Sequence, residues 1–269
     1  MKVFLTGASA GIGLATAKIL CEAGHEVWGS SRALGRLPVL KRFHPVELDL
    51  QSESSITAAC AQVWQESKGI DVFINNAGQA AFGPLEQMEA EALRQQFEIL
   101  FFGPFFLQQN LAVRMRGASG GVIINITSLA VELPIPFMGA YTAAKASLSA
   151  ASIAFRLEAT DDRIRWIDLR PGDISTDFNQ AVTVTSGGKS ASAGKAWKTI
   201  GKNMAAAPPA MIIAERILKI VEGNRTGPIV RVGDWFQSVL APWGVRVLPT
   251  KILEKLIRGY YGIAGESRK

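Results

Sequence analysis

Lys2-Val3-Phe4-Leu5-Thr6-Gly7-Ala8-Ser9-Ala10-Gly11-Ile12-Gly13 lies at the very start of the chain, and its reading decides the fold. The apolar run from Lys2 to Thr6 reads as a strand, and the periodicity from Ile12 to Ala23 as a helix. Between them Gly7, Gly11 and Gly13 stand where the chain must reverse tightly. Side chains there would keep the backbone away from a ligand, while the helix N-terminus offers unpaired N–H groups to anionic oxygens. The glycine spacing differs from the Gly-x-Gly-x-x-Gly fingerprint, but its place between a strand and a helix is the one a dinucleotide turn needs.

The rest of the chain repeats this alternation. Apolar runs from Glu26 to Ser30, Pro45 to Leu48, Asp71 to Asn75, Val122 to Thr127, Ile164 to Leu169 and Ile229 to Val232 read as strands. Helical periodicity covers Ser55 to Gln65, Glu89 to Met115, Ala140 to Glu158 and Ile212 to Glu222. The pattern predicts a doubly wound, Rossmann-type α/β fold: a parallel sheet of about seven strands, helices on both faces, right-handed crossovers. With 269 residues and no proline- or serine-rich linker, one domain is expected, a main unit over 1–232 and an extension over 233–269.

Two segments depart from the rhythm. From 173 to 208 the chain is rich in Ser, Thr, Gly, Ala and Lys, including Thr185-Ser186-Gly187-Gly188-Lys189, and it follows a strand's carboxyl end, the place for a mobile substrate lid. The extension carries Trp235, Phe236, Trp243, Leu248, Ile252, Leu253, Leu256, Ile257, Tyr260 and Tyr261, with Lys251, Lys255 and Arg258 on the other side of the helical spacing. It is expected to pack on the protein's own core, near the substrate pocket or a subunit interface. Peripheral membrane contact is the alternative.

The composition, 48% hydrophobic and 19% charged, supplies a sizeable core. A net charge of +6 suits a phosphate-bearing ligand, but the basic residues are scattered, so nucleic acid is not an expected partner. Cys21 and Cys60 fall in helical patterns and are expected as reduced, buried thiols; two histidines do not make a usual zinc site, and no metal is expected. The start runs straight into a strand without a basic leader. The longest apolar stretch, Ile99 to Leu107, contains Gly103 and Pro104 and is too short to span a bilayer, so a cytoplasmic protein with no transmembrane segment is expected.

Further motifs fall into the same frame: Asn75-Asn76-Ala77-Gly78 after the fourth strand, Ser128 after the fifth, Tyr141-Thr142-Ala143-Ala144-Lys145, and Arg170-Pro171-Gly172 with Thr176 after the sixth. With the Gly-xxx-Gly-x-Gly turn they resemble the short-chain dehydrogenase/reductase family, in order and spacing, over about residues 1 to 232. The resemblance implies an enzyme that moves a hydride between a nicotinamide cofactor and a ketone or secondary alcohol. It implies cofactor contacts from Gly7, Ser9, Gly11, Ile12, Gly13, Asp49, Leu50, Asn76, Ala77, Gly78, Tyr141, Lys145, Pro171, Gly172, Ile174 and Thr176. Asp49 matches the family's adenine contact and Thr176 the residue near the nicotinamide carboxamide. In the family the lysine also binds the nicotinamide ribose, and the serine hydrogen-bonds the substrate oxygen.

Tyr141 and Lys145 are one helical turn apart and share a face. A phenol with an ordinary pKa near 10 must come down to exchange a proton usefully at neutral pH. A cation about 4 Å away, at an effective dielectric near 20, is worth about 4 kcal/mol, roughly three pKa units before solvent reduces it. Lys145 is the expected source of that pull, Tyr141 the proton donor to the forming alkoxide, and Ser128 the third catalytic residue. At the end of the second strand stands Ser30-Ser31-Arg32, where an acidic residue would accept the adenine ribose hydroxyls. Arg32 can pair bidentately with a 2′-phosphate and Ser31 leaves room and a donor, so NADP(H) is the expected cofactor.

One position departs from the family. Phe97-Glu98-Ile99-Leu100-Phe101-Phe102-Gly103-Pro104 puts Leu100 where relatives carry a catalytic asparagine. Leucine keeps the main-chain carbonyl but has no amide. Either the proton relay persists through backbone and water, or the chain is a weakened NADP-binding sensor or scaffold; Ser128, Tyr141 and Lys145 together favour an enzyme, with Leu100→Asn expected to fold and stay active. Phe82, Leu133, Ile135, Phe137, Met138 and Phe178 suggest a lipophilic substrate, whereas Lys189, Lys195, Lys198 and Lys202 suggest a carrier-protein or coenzyme A thioester, as for the family's 3-oxoacyl reductases. Members of the family often pair through the long helices that fall here at Glu89 to Met115 and Ala140 to Glu158, so the resemblance implies a homodimer or homotetramer. Phe97, Phe101, Phe105 and Leu111 on the first supply more apolar surface than the sheet alone would cover.

Overall fold

A computed structural model describes residues 1–159, 161–176, 182–185, 188, 190–224 and 226–263. In chain order, β1 (Lys2–Leu5), α1 (Gly11–Glu22), β2 (Glu26–Ser31), β3 (Phe43–Glu47), α2 (Glu53–Ser67) and β4 (Val72–Asn75) form the first half of the sheet. After the short β5 (Ala81–Phe82) come α3 (Ala90–Phe97), α4 (Gly103–Gly117), β6 (Gly121–Ile126), α5 (Gly139–Glu158) and β7 (Ile164–Pro171). The short β8 (Thr183–Val184), α6 (Ala191–Ala206), α7 (Met211–Val221), β9 (Ile229–Val232), α8 (Ala241–Val247) and α9 (Thr250–Tyr260) follow. Seven strands make one parallel sheet in the order β3-β2-β1-β4-β6-β7-β9, and β5 pairs with β8 apart from it. The order reverses between β1 and β4, where an open sheet leaves its ligand crevice.

Alternation of side chains along the strands builds two core layers. Val3 and Leu5 face α1 and α7, whose Leu20, Ile213 and Ile217 complete one layer. Phe4, Phe73, Ile123 and Trp166 face the other way, under Ile56 and Val63 of α2 and Leu107, Leu111 and Met115 of α4. Burying each such side chain stabilises the fold by about 1.5–3 kcal/mol. Val3 pairs with both Val27 and Val72, and Ile123 with Trp166, so the strands' carboxyl ends finish level along one edge.

The helix expected from Glu89 to Met115 is not uniform: a π turn, Glu98–Phe102, joins α3 to α4. Pro104 has no N–H to give the Leu100 carbonyl one turn back, as an α-helix requires. Gly103 also passes so close to Leu50 that a Cβ there would lie 2.4 Å from the Leu50 carbonyl oxygen.

The stretch expected to be a lid from 173 to 208 is in large part the helix α6. Its start is capped by Ser190, whose Oγ accepts from the Ala193 N–H at 3.3 Å. Alanine carries the helix propensity, and Ala193, Ala196 and Ile200 pack against Phe82 and Met138. Ser186, Gly187, Lys189 and Phe178 lie outside the described residues.

The extension, expected to pack on the core, does so only in part, and many of its large apolar side chains are exposed. Trp235 is 68% exposed, Trp243 62% and Leu256 56%. Two short helices lying outside the sheet have only one side each to offer the protein. On that side Tyr261 and Ile263 join the cluster of Phe82 and Met138.

Candidate active site

The level strand ends open into a cleft of about 950 Å3, and every residue singled out above for cofactor binding or catalysis borders it. The glycine turn is fixed to the next strand through Thr6, whose Oγ1 accepts from the N–H groups of Asn76 and Ala77, both at 2.9 Å. Asn76 Nδ2 in turn donates to the Thr6 carbonyl at 2.9 Å and to that of Gly7 at 3.3 Å. Gly7 and Gly11 have φ of 71° and 50°, in the region glycine adopts without strain. A Cβ on Gly13 would lie 2.0 Å from the Gly7 carbonyl oxygen, so the helix can start this close only without a side chain. No side chain caps the first turn of α1, which leaves its N–H groups for an anion. The cradle therefore fits a pyrophosphate.

At the adenine end, β2 finishes at Ser31, and Arg32 and Arg36 both border the cleft. Arg36, on a 3-10 turn, Leu34–Arg36, was not singled out from the sequence. Its spacing of four from Arg32 was the available signal.

Ser128 ends the stretch after β6 in extended conformation, its Oγ accepting from the Ala130 N–H at 3.0 Å. Tyr141 and Lys145 come from the first turns of α5. Lys145 Nζ donates to the Ile126 carbonyl at 2.6 Å. Burial pushes the Tyr141 phenol above its ordinary range, and its hydrogen bond with Ser128 pulls the other way. The phenol therefore does not come down as expected: burial sets the direction of its shift. Burial brings Lys145 itself down to about 8, against the raising effect of the Asp168 carboxylate. Leu100 is fully buried in the π turn, in the core beside Gly78.

Behind Ser128 and Tyr141 lies a polar network of which the sequence reading had quoted only Arg170. Asp168 accepts from Ser149 Oγ at 2.7 Å, from Arg170 Nε at 2.8 Å and from Thr127. Arg170 also donates to Glu132 at 2.5 Å, and Arg231 to both Glu132 oxygens at 2.8 and 3.1 Å. The 3-10 turn after Ser128 is thereby clamped to β7 and β9. Asn125 Nδ2 donates to Gln108 and Ser152 at 2.8 and 2.7 Å, tying β6 to α4 and α5. These residues sit inside apolar runs, so only their polar character in a core position could have flagged them.

Of the expected lipophilic set, Ile135 and Met138 border the cleft, joined by Ile200 and Met204 of α6. Phe82 does not: it is fully buried, with ring centroids of Phe137 at 5.7 Å and Trp197 at 4.7 Å. Leu133 and Phe137 are not part of the cleft wall either. Strand β5 turns Phe82 into the cluster under α6 instead.

The family model for short chain dehydrogenases matches residues 1–186. The chain belongs to the short-chain dehydrogenase/reductase family, oxidoreductases that act on carbonyl and alcohol groups. It is similar to a 3-ketodihydrosphingosine reductase of Bacteroides thetaiotaomicron, 35% identical over 180 residues, and to an NADPH-dependent 3-dehydrocapnine reductase of Ornithobacterium rhinotracheale, 30% identical over 186 residues. Each match covers 65% of this chain and 65% of the relative. Among solved structures, a short-chain dehydrogenase from Streptomyces avermitilis superposes with a TM-score of 0.81 at 26% identity, covering 96% of this chain and 98% of that one.

Proposed function

We propose that the protein is an NADPH-dependent reductase of lipophilic ketones, with Tyr141 as proton donor and Ser128 and Lys145 as its partners. The observation that carries this reading is a half-buried tyrosine, its phenol hydrogen-bonded to Ser128, on the wall of the same cleft that holds the glycine turn. Arg32 and Arg36 at the adenine end, with no carboxylate closing β2, support NADPH over NADH. The NADPH dependence of the 3-dehydrocapnine reductase points the same way. Ile135, Met138, Ile200 and Met204 support a lipophilic substrate over a thioester of an acidic carrier.

When bound, NADPH supplies the hydride. The chain's own residues do the rest. Burial keeps the Tyr141 hydroxyl protonated at neutral pH, the form reduction needs, so that it gives its proton to the carbonyl oxygen as negative charge develops there. Ser128, its Oγ fixed by the Ala130 N–H, orients that oxygen against the phenol. Lys145 carries a cation behind the phenol at pH below about 8. Carbonyl, hydride and proton together give the alcohol.

The test is NADPH oxidation by purified protein across ketone classes, 3-oxoacyl thioesters included. Turnover of a lipophilic ketone, slower with NADH, is the expected result. Tight NADPH binding with no turnover of any ketone would replace the reductase by a cofactor-binding sensor.

A further inference from the structure

The extension presents an apolar surface for which the reaction has no use. Trp235, Phe236, Val239, Leu240, Trp243 and Val247 recur at three- or four-residue spacing and are all exposed. On α9 the two sides are distinct: Leu253 and Ile257 are half-buried toward the protein, while Ile252, Leu256 and Tyr260 form a four-residue stripe open to solvent. An exposed apolar surface of this extent marks an interaction site.

Charge identifies the occupant. Between 234 and 260 the chain carries Arg246, Lys251, Lys255 and Arg258 against Asp234 and Glu254, and all four cations are exposed. We propose that α8, α9 and the π turn Phe236–Leu240 before them dock the protein on the surface of a bilayer containing anionic lipid. A helix with an apolar stripe flanked by Lys and Arg lies in the plane of such a surface, its aromatic rings at the headgroup level. Pairing with a second copy through the same face would set these cations against their own kind. No helix among the described residues is long and apolar enough to cross a membrane, and α8 and α9, of 7 and 11 residues, lie on it rather than through it.

The docking face is fastened to the cleft. Gln237 accepts from the Asp173 N–H at 2.8 Å and donates to the Asp173 carboxylate at 2.7 Å, and Asp173 borders the cleft. Asn203 of α6 donates to the Tyr260 hydroxyl at 2.8 Å. Docking thus holds the cleft's mouth near the lipid, where a lipophilic ketone is concentrated. That consequence rests on the reductase reading; the docking does not.

The full chain is sedimented with vesicles of phosphatidylcholine alone and with about one third phosphatidylglycerol. Binding at least about tenfold tighter to the anionic vesicles, weakened by salt, is expected. Brominated lipid should quench the emission of Trp235 and Trp243, and the quenching should vanish in Trp235→Phe/Trp243→Phe. Trp243→Ser/Leu256→Ser should lose most of the binding; Lys251→Glu/Lys255→Glu, which changes only exposed cations, should lose it with circular dichroism unchanged. No binding to anionic vesicles, or binding indifferent to both double variants, overturns the proposal. So does a wild-type dimer on size exclusion that Trp243→Ser/Leu256→Ser turns to monomer without lipid binding, which would give the face to a second copy. NADPH binding and ketone turnover are read on the same samples, so a protein that binds vesicles but reduces nothing counts against the reductase reading alone.

Discussion

Lys145 makes the pH dependence of stability run in an uncommon direction. Burial lowers its ammonium from an ordinary 10.5 to about 8. Below about 8 the lysine is charged in both the folded and the unfolded chain, and the fold bears the cost of burying that charge. Between about 8 and 10.5 the folded lysine is neutral while the unfolded one still holds its proton, so unfolding takes up a proton and stability rises with pH. The full difference is about 3 kcal/mol, of which about 2 kcal/mol falls between pH 7.5 and 10. Other groups titrate over the same range, notably the two buried cysteines raised to about 11. The comparison is therefore with Lys145→Met, which keeps every other group. Urea unfolding followed by tryptophan fluorescence at both pH values gives the two stabilities. The wild type should gain about 2 kcal/mol on the variant as pH rises. Parallel curves would refute the claim that the buried lysine titrates near 8. Ketone reduction should fall over the same rise, as the cation behind Tyr141 is lost.

Arg32→Ala with Arg36→Ala should raise the NADPH KM by about tenfold, the lower end of what charge-assisted hydrogen bonds give, since both side chains are exposed. The NADH KM should hardly move; equal losses for both cofactors would contradict the role in phosphate recognition. Leu100→Asn should lower unfolding stability by about 2–4 kcal/mol, by removing buried methyls and burying an amide, yet keep turnover within a few-fold of wild type. Denaturant titration and steady-state kinetics on one preparation check both halves. For Glu132, burial pushes the carboxyl up, but hydrogen bonds from Arg231 and Arg170 outweigh it and hold it below its ordinary value. Its contribution is therefore present at neutral pH and lost as pH falls through the depressed folded value. Glu132→Gln should cost about 3 kcal/mol at pH 7, leaving Arg170 and Arg231 without their carboxylate, and the wild-type advantage should shrink in acid.

The sheet was legible in the sequence because its strands are short apolar runs bounded by glycine, proline and polar residues, and because helix periodicity fills the gaps. The glycine turn and the Ser128, Tyr141 and Lys145 pattern were legible because the chemistry admits few residue types there. What escaped depends on contacts between distant residues. The π turn at Glu98–Phe102 follows from Pro104 meeting Leu100 and Gly103 passing Leu50, which periodicity does not register. Helix α6 was hidden because serine and glycine look like loop, although Ala193, Ala196 and Ile200 make one apolar face. The rise of the Tyr141 phenol and the direction of the Lys145 ammonium toward Ile126 are burial and geometry, absent from a four-residue spacing. The exposed aromatic extension went against the rule that such residues pack inward, and that departure is what points to a membrane surface.

The claim under all of this is that the phenol of Tyr141 delivers the proton in carbonyl reduction. Tyr141→Phe removes a single oxygen and leaves the cleft wall intact. Measured side by side, NADPH affinity from nicotinamide fluorescence should stay within a few-fold of wild type while kcat for the best ketone falls by about 10²–10⁴-fold. Wild-type turnover in Tyr141→Phe would contradict the account.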